Sequence, residues 1–199
     1  LANILKAGTL PAPTTIVEDV GIGPTLGKVA QNQGITSILA GLGIVIVFMA
    51  IYYSGGGLIA VVALFFNVFF ILGILAQLAA SLTLPGIAGI VLTIGMSIDA
   101  NVLIFERIKE ELRNGVGLRQ AISAGYDKAY SSIIDANVTT LLTGIILYTL
   151  GQGPVKGFAV TLIIGIICSF FSAVFITRVI IEAFVKKGDE SKLSFSLPF

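Results

Sequence analysis

Gly89-Ile-Val-Leu-Thr-Ile-Gly-Met-Ser-Ile-Asp-Ala-Asn-Val-Leu-Ile-Phe-Glu-Arg-Ile-Lys-Glu-Glu111 decides how the rest of this chain is read. It is apolar enough for a membrane helix, yet Asp99 stands inside it, far from either charged end. An ionisable group at that depth costs roughly 2.5–3.5 kcal/mol on insertion scales, so it marks a pathway, a relay or a partner site. Its tetrapeptide, Ile98-Asp99-Ala100-Asn101, returns as Ile134-Asp135-Ala136-Asn137.

Composition agrees with a membrane reading. Of 199 residues, 56% are hydrophobic and only 12% charged, and the mean hydropathy is +1.01. A soluble domain carries about 25% charged residues. A lone cysteine, Cys168, excludes a disulfide framework and a cysteine metal site. The absence of histidine leaves any proton chemistry to carboxylates. No basic patch with interleaved aromatics points to nucleic acid.

Five apolar segments approach the roughly 20 helical residues that a hydrocarbon core requires. They lie at 35–53, 58–82, 87–105, 132–150 and 158–184, so the expected fold is an all-α polytopic membrane protein with five transmembrane helices. Ser54-Gly55-Gly56-Gly57 breaks the first from the second, and Thr83-Leu84-Pro85-Gly86 the second from the third. Gly151-Gln152-Gly153-Pro154 precedes the last, with Pro154 suited to a first helical turn. The long connection 106–131 predicts two short amphipathic helices, stopped between them by Asn114-Gly115. Its charges serve either as a solvated anchor or as a docking site.

Basic residues set the expected orientation. Arg107, Lys109, Arg113, Arg119 and Lys128 share that connection, and Arg178, Lys186, Lys187 and Lys192 lie at the C-terminal end. Only Lys6, Lys28 and Lys156 fall on the other side. Residues 1–34 are therefore expected outside, as the end of a β-containing domain (Thr14-Thr15-Ile16-Val17) with a lead-in helix from Pro24. The 106–131 loop and the tail 185–199 are expected in the cytoplasm.

The candidate site is built from polar residues within the spans. Burial makes a carboxylate hold its proton and a nearby cation releases it, so a moving partner would switch Asp99. Gly95, one turn earlier, leaves room for a helix or a water beside it. The alternative is a static hydrogen-bonding group or a wet vestibule. Asn101 reads as a residue that joins helices. Ser132, Asp135, Thr139 and Thr143 follow at three- and four-residue spacing on one helical face, with Asp135 near the cytoplasmic end. That face is either a hydrated entry path or a set of interhelical hydrogen bonds. Thr161, Gly165, Ser169 and Ser172 make a small-residue packing face, and Asn67 and Gln77 read as buried hydrogen-bonding groups. No Lys or Arg lies near the middle of any span, so Asp99 lacks a deep basic partner in this chain.

The segment 89–111 resembles the hallmark membrane segment of the SecD family, export components related to the RND transporters. Leu10-Pro11-Ala12-Pro13, Val20-Gly-Ile-Gly-Pro-Thr-Leu-Gly27, Asp135-Ala-Asn-Val-Thr-Thr140 and Gly151-Gln-Gly-Pro-Val-Lys-Gly-Phe-Ala-Val160 resemble the same family in the same order. The similarity covers nearly the whole chain, and Ser191-Lys-Leu-Ser-Phe-Ser196 resembles a junction into a SecF half. It implies half of an RND-type bundle in the bacterial cytoplasmic (inner) membrane, working with SecF or a fused SecF half, the SecYEG translocon, a YajC-like accessory protein and the translocating polypeptide. A full SecD carries a further span and a large periplasmic domain ahead of the matched part. The implied function is an ion-driven accessory motor for protein export, not an enzyme, with no cofactor beyond a coupling ion, H⁺ or Na⁺. The implied relay contains Asp99, Asn101, Asp135 and Thr139, with Gly95, Thr140 and Gly165 packing near it and no metal.

Three other readings are weaker. An intramembrane aspartyl protease would need Asp99 and Asp135 to share a proton at close range, but their depths differ by about two turns and Gly-x-Gly-Asp is missing. An RND-type exporter of lipids or drugs would need large external domains. A purely structural scaffold would tolerate substitution of Asp99.

Overall fold

The structure, a computed structural model, describes residues 24–78 and 83–186, with side chains at 29, 32–78 and 83–185. The expected β stretch at 14–17 and the tail beyond 186 lie outside the described residues. Those residues are all helical: α1 (Pro24–Gln77), α2 (Leu84–Arg113), α3 (Leu118–Leu150), α4 (Pro154–Phe171) and α5 (Thr177–Lys186), with a π-helical turn, Ser172–Ile176, joining the last two. Four helical stretches are long and apolar enough to cross a membrane: Asn32–Gln77, Leu84–Arg113, Leu118–Leu150 and Pro154–Val185. The chain is that of a multi-pass membrane protein.

The sequence signals act where the physics places them. Pro24 opens α1. Ser54 interrupts it at φ 46° and ψ −120°, so α1 consists of two helical stretches meeting at a kink. A Cβ at Gly57 would overlap the Met49 carbonyl, a proximity that a straight helix would not give. Thr83 caps α2 by accepting the Gly86 N–H at 3.2 Å, with a proline in the first turn. Asn114 and Gly115 end it, the glycine at φ 82°, which a Cβ would disfavour.

The segment 106–131 departs from expectation. It forms no separate surface helices: α2 runs unbroken to Arg113 and α3 starts at Leu118. No Gly or Pro interrupts the backbone near 106 or 131. Pairs along the extension, Arg107–Glu110 at 2.8 Å and Lys109–Glu106 at 2.9 Å, solvate a helix that has left the apolar layer. The π turn was also unforeseen. Its inserted residue makes the Thr177 N–H reach back five positions to the Ser172 carbonyl.

Helix α2 is the hub, packed against α4, α3 and α1. Small residues set the α2–α4 distance: a Cβ on Gly165 would overlap Thr93, and one on Gly89 would overlap Thr161. Met49, Tyr53, Leu64, Ile71, Ile104, Phe105 and Ile108 complete the interior. Helix α3 is peripheral. Only 11% of its apolar stretch is buried, against 56% of that in α2. Asn67 is fully buried as expected but its amide finds no partner, whereas Gln77 is exposed rather than buried.

Candidate functional site between two helices

The polar residues of α2 divide between two faces. Thr93, Ser97 and Asn101, at four-residue spacing, are fully buried toward the bundle. Asp99 lies on the opposite flank, exposed, and makes no ion pair among the described residues. Gly95 lies on that flank too, and a Cβ there would meet nothing within 4 Å. Among the described residues no helix packs against Gly95.

A cavity of about 150 Å³ opens beside Asp99, between α2 and α3. Met96 and Leu103 flank the carboxylate, and Ser132, Asn137 and Thr140 face it from α3. Asp135 and Thr139 do not line this cavity; they occupy the neighbouring, exposed stripe of α3. The reason is helical phase. Residues 132, 136 and 140 share a stripe, and positions 135 and 139 lie about 100° around the axis from 136 and 140. The sequence stripe 132–135–139–143 straddles both. Asp99 and Asp135 are therefore not brought together in one cavity.

Hydroxyl and amide protons along α3 are taken up within the helix. Thr139 donates to the Asp135 carbonyl at 2.9 Å, Thr140 to that of Ala136 at 2.9 Å, and Asn137 to that of Ile133 at 2.7 Å. Asn101 does the same to Ser97 at 3.2 Å, so the two tetrapeptides share a local geometry. Their surroundings differ. The Oδ1 of Asn101 accepts from the Thr177 hydroxyl at 3.0 Å, across to the helix that follows the π turn. Ser172, in that turn, donates to the Ala63 carbonyl of α1.

Sequence reasoning missed Thr177. The small-residue face 161–165–169 continues through Ala173 to Thr177 at four-residue steps, so the spacing offers Thr177 as a packing residue but gives no sign of the π turn. Asn137, quoted only as part of a repeat, proves to be a cavity residue. Among the described residues no three Asp, Glu or Cys side chains gather as a metal site.

One end of the bundle holds the charged network. Lys128 pairs with Glu111, and Tyr53 donates to Glu106 at 3.0 Å. The Lys109 ammonium lies 4.9 Å from the centre of the Tyr52 ring. These contacts bring the Ser54 kink to the same end as the junction of α2 with α3.

Known proteins match this chain closely. The family described as "Protein export membrane protein SecD/SecF, C-terminal" matches residues 6–187. The SecD translocase subunit of Rhodothermus marinus is 57% identical over 185 residues, 93% of this chain and 30% of that protein. That of Haemophilus influenzae is 54% identical over 184 residues, 92% of this chain and 30% of that protein. A crystal structure of SecDF from Thermus, described as a translocon-associated membrane protein, superposes with a TM-score of 0.81 at 47% identity, covering 84% of this chain and 24% of that one. A SecDF crystallised in a super-membrane-facing form gives 0.79 at 46% identity, with 93% and 25% covered. The chain thus spans less than a third of the length of these relatives. With the matched helices and the Ile-Asp-Ala-Asn segments in place, the chain belongs to the SecD/SecF C-terminal family of protein export membrane proteins.

Proposed function

We propose that this chain is the membrane part of an ion-driven accessory motor that promotes protein translocation through the Sec translocon. The single observation that carries the reading is Asp99: a carboxylate within an apolar helix, on an open flank beside a polar-lined cavity, without a basic partner among the described residues. A membrane-embedded carboxylate so placed is half of a relay. The other half comes from a SecF-like partner or fused half lying along the exposed flank of α2 and α3. H⁺ or Na⁺ is the coupling ion, and Asn137 and Thr140 join Asp99 along its path. Asp135 and Thr139, on the outer stripe of α3, stand at its cytoplasmic mouth, and Asn101 positions α2 from behind.

The chain crosses the bacterial inner membrane five times. The kink at Ser54 divides α1 into two passes, because a 46-residue helix would extend about 69 Å, twice the hydrocarbon thickness. The junction of α2 and α3 faces the cytoplasm. SecYEG, a YajC-like protein and the emerging polypeptide are the partners of the whole protein.

The test is gradient-dependent export by the intact protein carrying Asp99→Asn. Export should fall to the level seen without the ion gradient while the protein still accumulates in the membrane. Full gradient-dependent export in that variant overturns the reading.

A further inference from the structure

Away from Asp99, the crevice between α3 and the α4–α5 arm holds two cavities in line. The first, of about 230 Å³, is lined by Arg119 and Ser123 of α3 and by Arg178, Glu182 and Val185 of α5. The second, of about 340 Å³, is a largely apolar groove walled by Tyr130, Ile134, Val138 and Leu141 of α3 and by Ile167 and Phe170 of α4, with Asn137, which also borders the Asp99 cavity, as its one polar lining residue besides the tyrosine. Positions 119, 123, 126, 130, 134, 138 and 141 follow one another at three- and four-residue steps, so a single stripe of α3 walls both. We propose that this crevice binds one anionic phospholipid, its phosphate at Arg119 and Arg178 and an acyl chain in the groove.

The chemistry grades along the stripe as a lipid does. Two guanidiniums stand at the end that carries most of the described basic residues. Basic pockets between membrane helices on that side bind anionic headgroups. Arg178 lies 5.5 Å from the centre of the Tyr126 ring, and Tyr130 follows one turn deeper, so tyrosines mark the interfacial level. Beyond them the lining is aliphatic and aromatic except for Asn137, whose amide donates to the Ile133 carbonyl of its own helix. Size agrees: 230 Å³ lies below the ~300 Å³ at which pockets for whole small ligands begin, so it admits a headgroup only. The hydrocarbon must then lie outside that cavity, and the groove farther along the same stripe of α3 receives it.

Arg178 already donates through Nε to Glu182 at 2.9 Å, and Arg119 donates to the Val185 carbonyl at 3.3 Å. Five N–H donors let one guanidinium serve a protein acceptor and a phosphate together. Glu182 is the brake on this site, because its carboxylate offsets the charge of Arg178. The reading depends on membrane insertion alone and not on ion coupling.

The experiment is native mass spectrometry of the full-length protein released from detergent after equilibration with phosphatidylglycerol or phosphatidylcholine. Phosphatidylglycerol should be retained preferentially. Arg119→Gln and Arg178→Gln should each reduce that retention about fivefold, and Glu182→Gln should raise it. Arg178→Lys, which keeps the charge, should retain lipid nearly as well, guarding against misfolding. Ile167→Trp, filling the groove, should lower retention with both arginines intact. Equal retention of the two lipids, or unchanged retention in both glutamine variants, overturns the proposal. So does displacement of the lipid by millimolar inorganic phosphate, which would make the cavity a site for a free anion.

Discussion

The two flanks of α2 carry polar residues in opposite surroundings. Toward the bundle, Thr93, Ser97 and Asn101 are fully buried, and Asn101 is held by Thr177. Toward α3 and the outside, Asp99 borders a cavity and Gly95 faces open space. Of the three buried residues, Asn101 alone bonds another helix among the described residues: Thr93 donates to the Ile90 carbonyl of α2 itself, and the Ser97 hydroxyl finds no partner there. Asp99, by contrast, is exposed and makes no ion pair among the described residues. The contrast explains why two residues of one tetrapeptide, two positions apart, have unrelated surroundings.

Substitutions can break or sharpen this contrast. The largest effect is expected from Asp99→Asn, which should remove gradient-dependent export yet change thermal stability by no more than about 0.5 kcal/mol, as for a substitution away from the packed core. A large loss of stability would move Asp99 to the structural flank. Next comes Gly165→Val on the closed side. Its new side chain must push into Thr93, and unfolding measured in detergent should show a cost of about 1–3 kcal/mol. Gly95→Leu in the intact protein offers the matching test on the open side. The described residues leave that space empty, so any cost above about 1 kcal/mol there means another part of the protein covers the flank.

Smaller effects concern the hydrogen bonds. A double-mutant cycle of Asn101→Ala with Thr177→Val should give a coupling of about 0.6 kcal/mol, the average for polar contacts between membrane helices. Zero coupling would remove the link between α2 and the π turn. The smallest separation is expected on α3. Export rates should fall more in Asn137→Ala, whose side chain lines the Asp99 cavity, than in Asp135→Asn, whose side chain does not. The reverse order would place the path on the outer stripe.

Much of the architecture was legible because local physics writes it. Apolar runs, Thr83 with Pro85, Asn114-Gly115, and Gly153 with Pro154 mark helix ends, where unpaired backbone groups need a particular neighbour. The segment 106–131 was misread because charge was taken as a sign of departure from the spanning helix. A helix continues through charged sequence when paired side chains solvate it and no residue breaks it. The π turn escaped because period-3.6 reading assumes an unbroken helix, and a single inserted residue shifts the phase of everything after it.

The sequence by itself determined that this is a polytopic membrane chain, that Asp99 stands within an apolar run, and that no Lys or Arg lies near the middle of its spans. Those conclusions depend on residue type and depth, which hydrophobicity and chain order carry. Only the tertiary structure decided that Asn137 and Thr140, rather than Asp135 and Thr139, share the cavity with Asp99. It alone joined Asn101 to Thr177 across 76 residues. Which side chains meet depends on the rotation of one helix against another. Close approaches at both contacts of α2, Gly89 to Thr161 and Thr93 to Gly165 of α4 and Ile108 to Gly125 of α3, limit that rotation, a property of the assembled bundle and of no single segment.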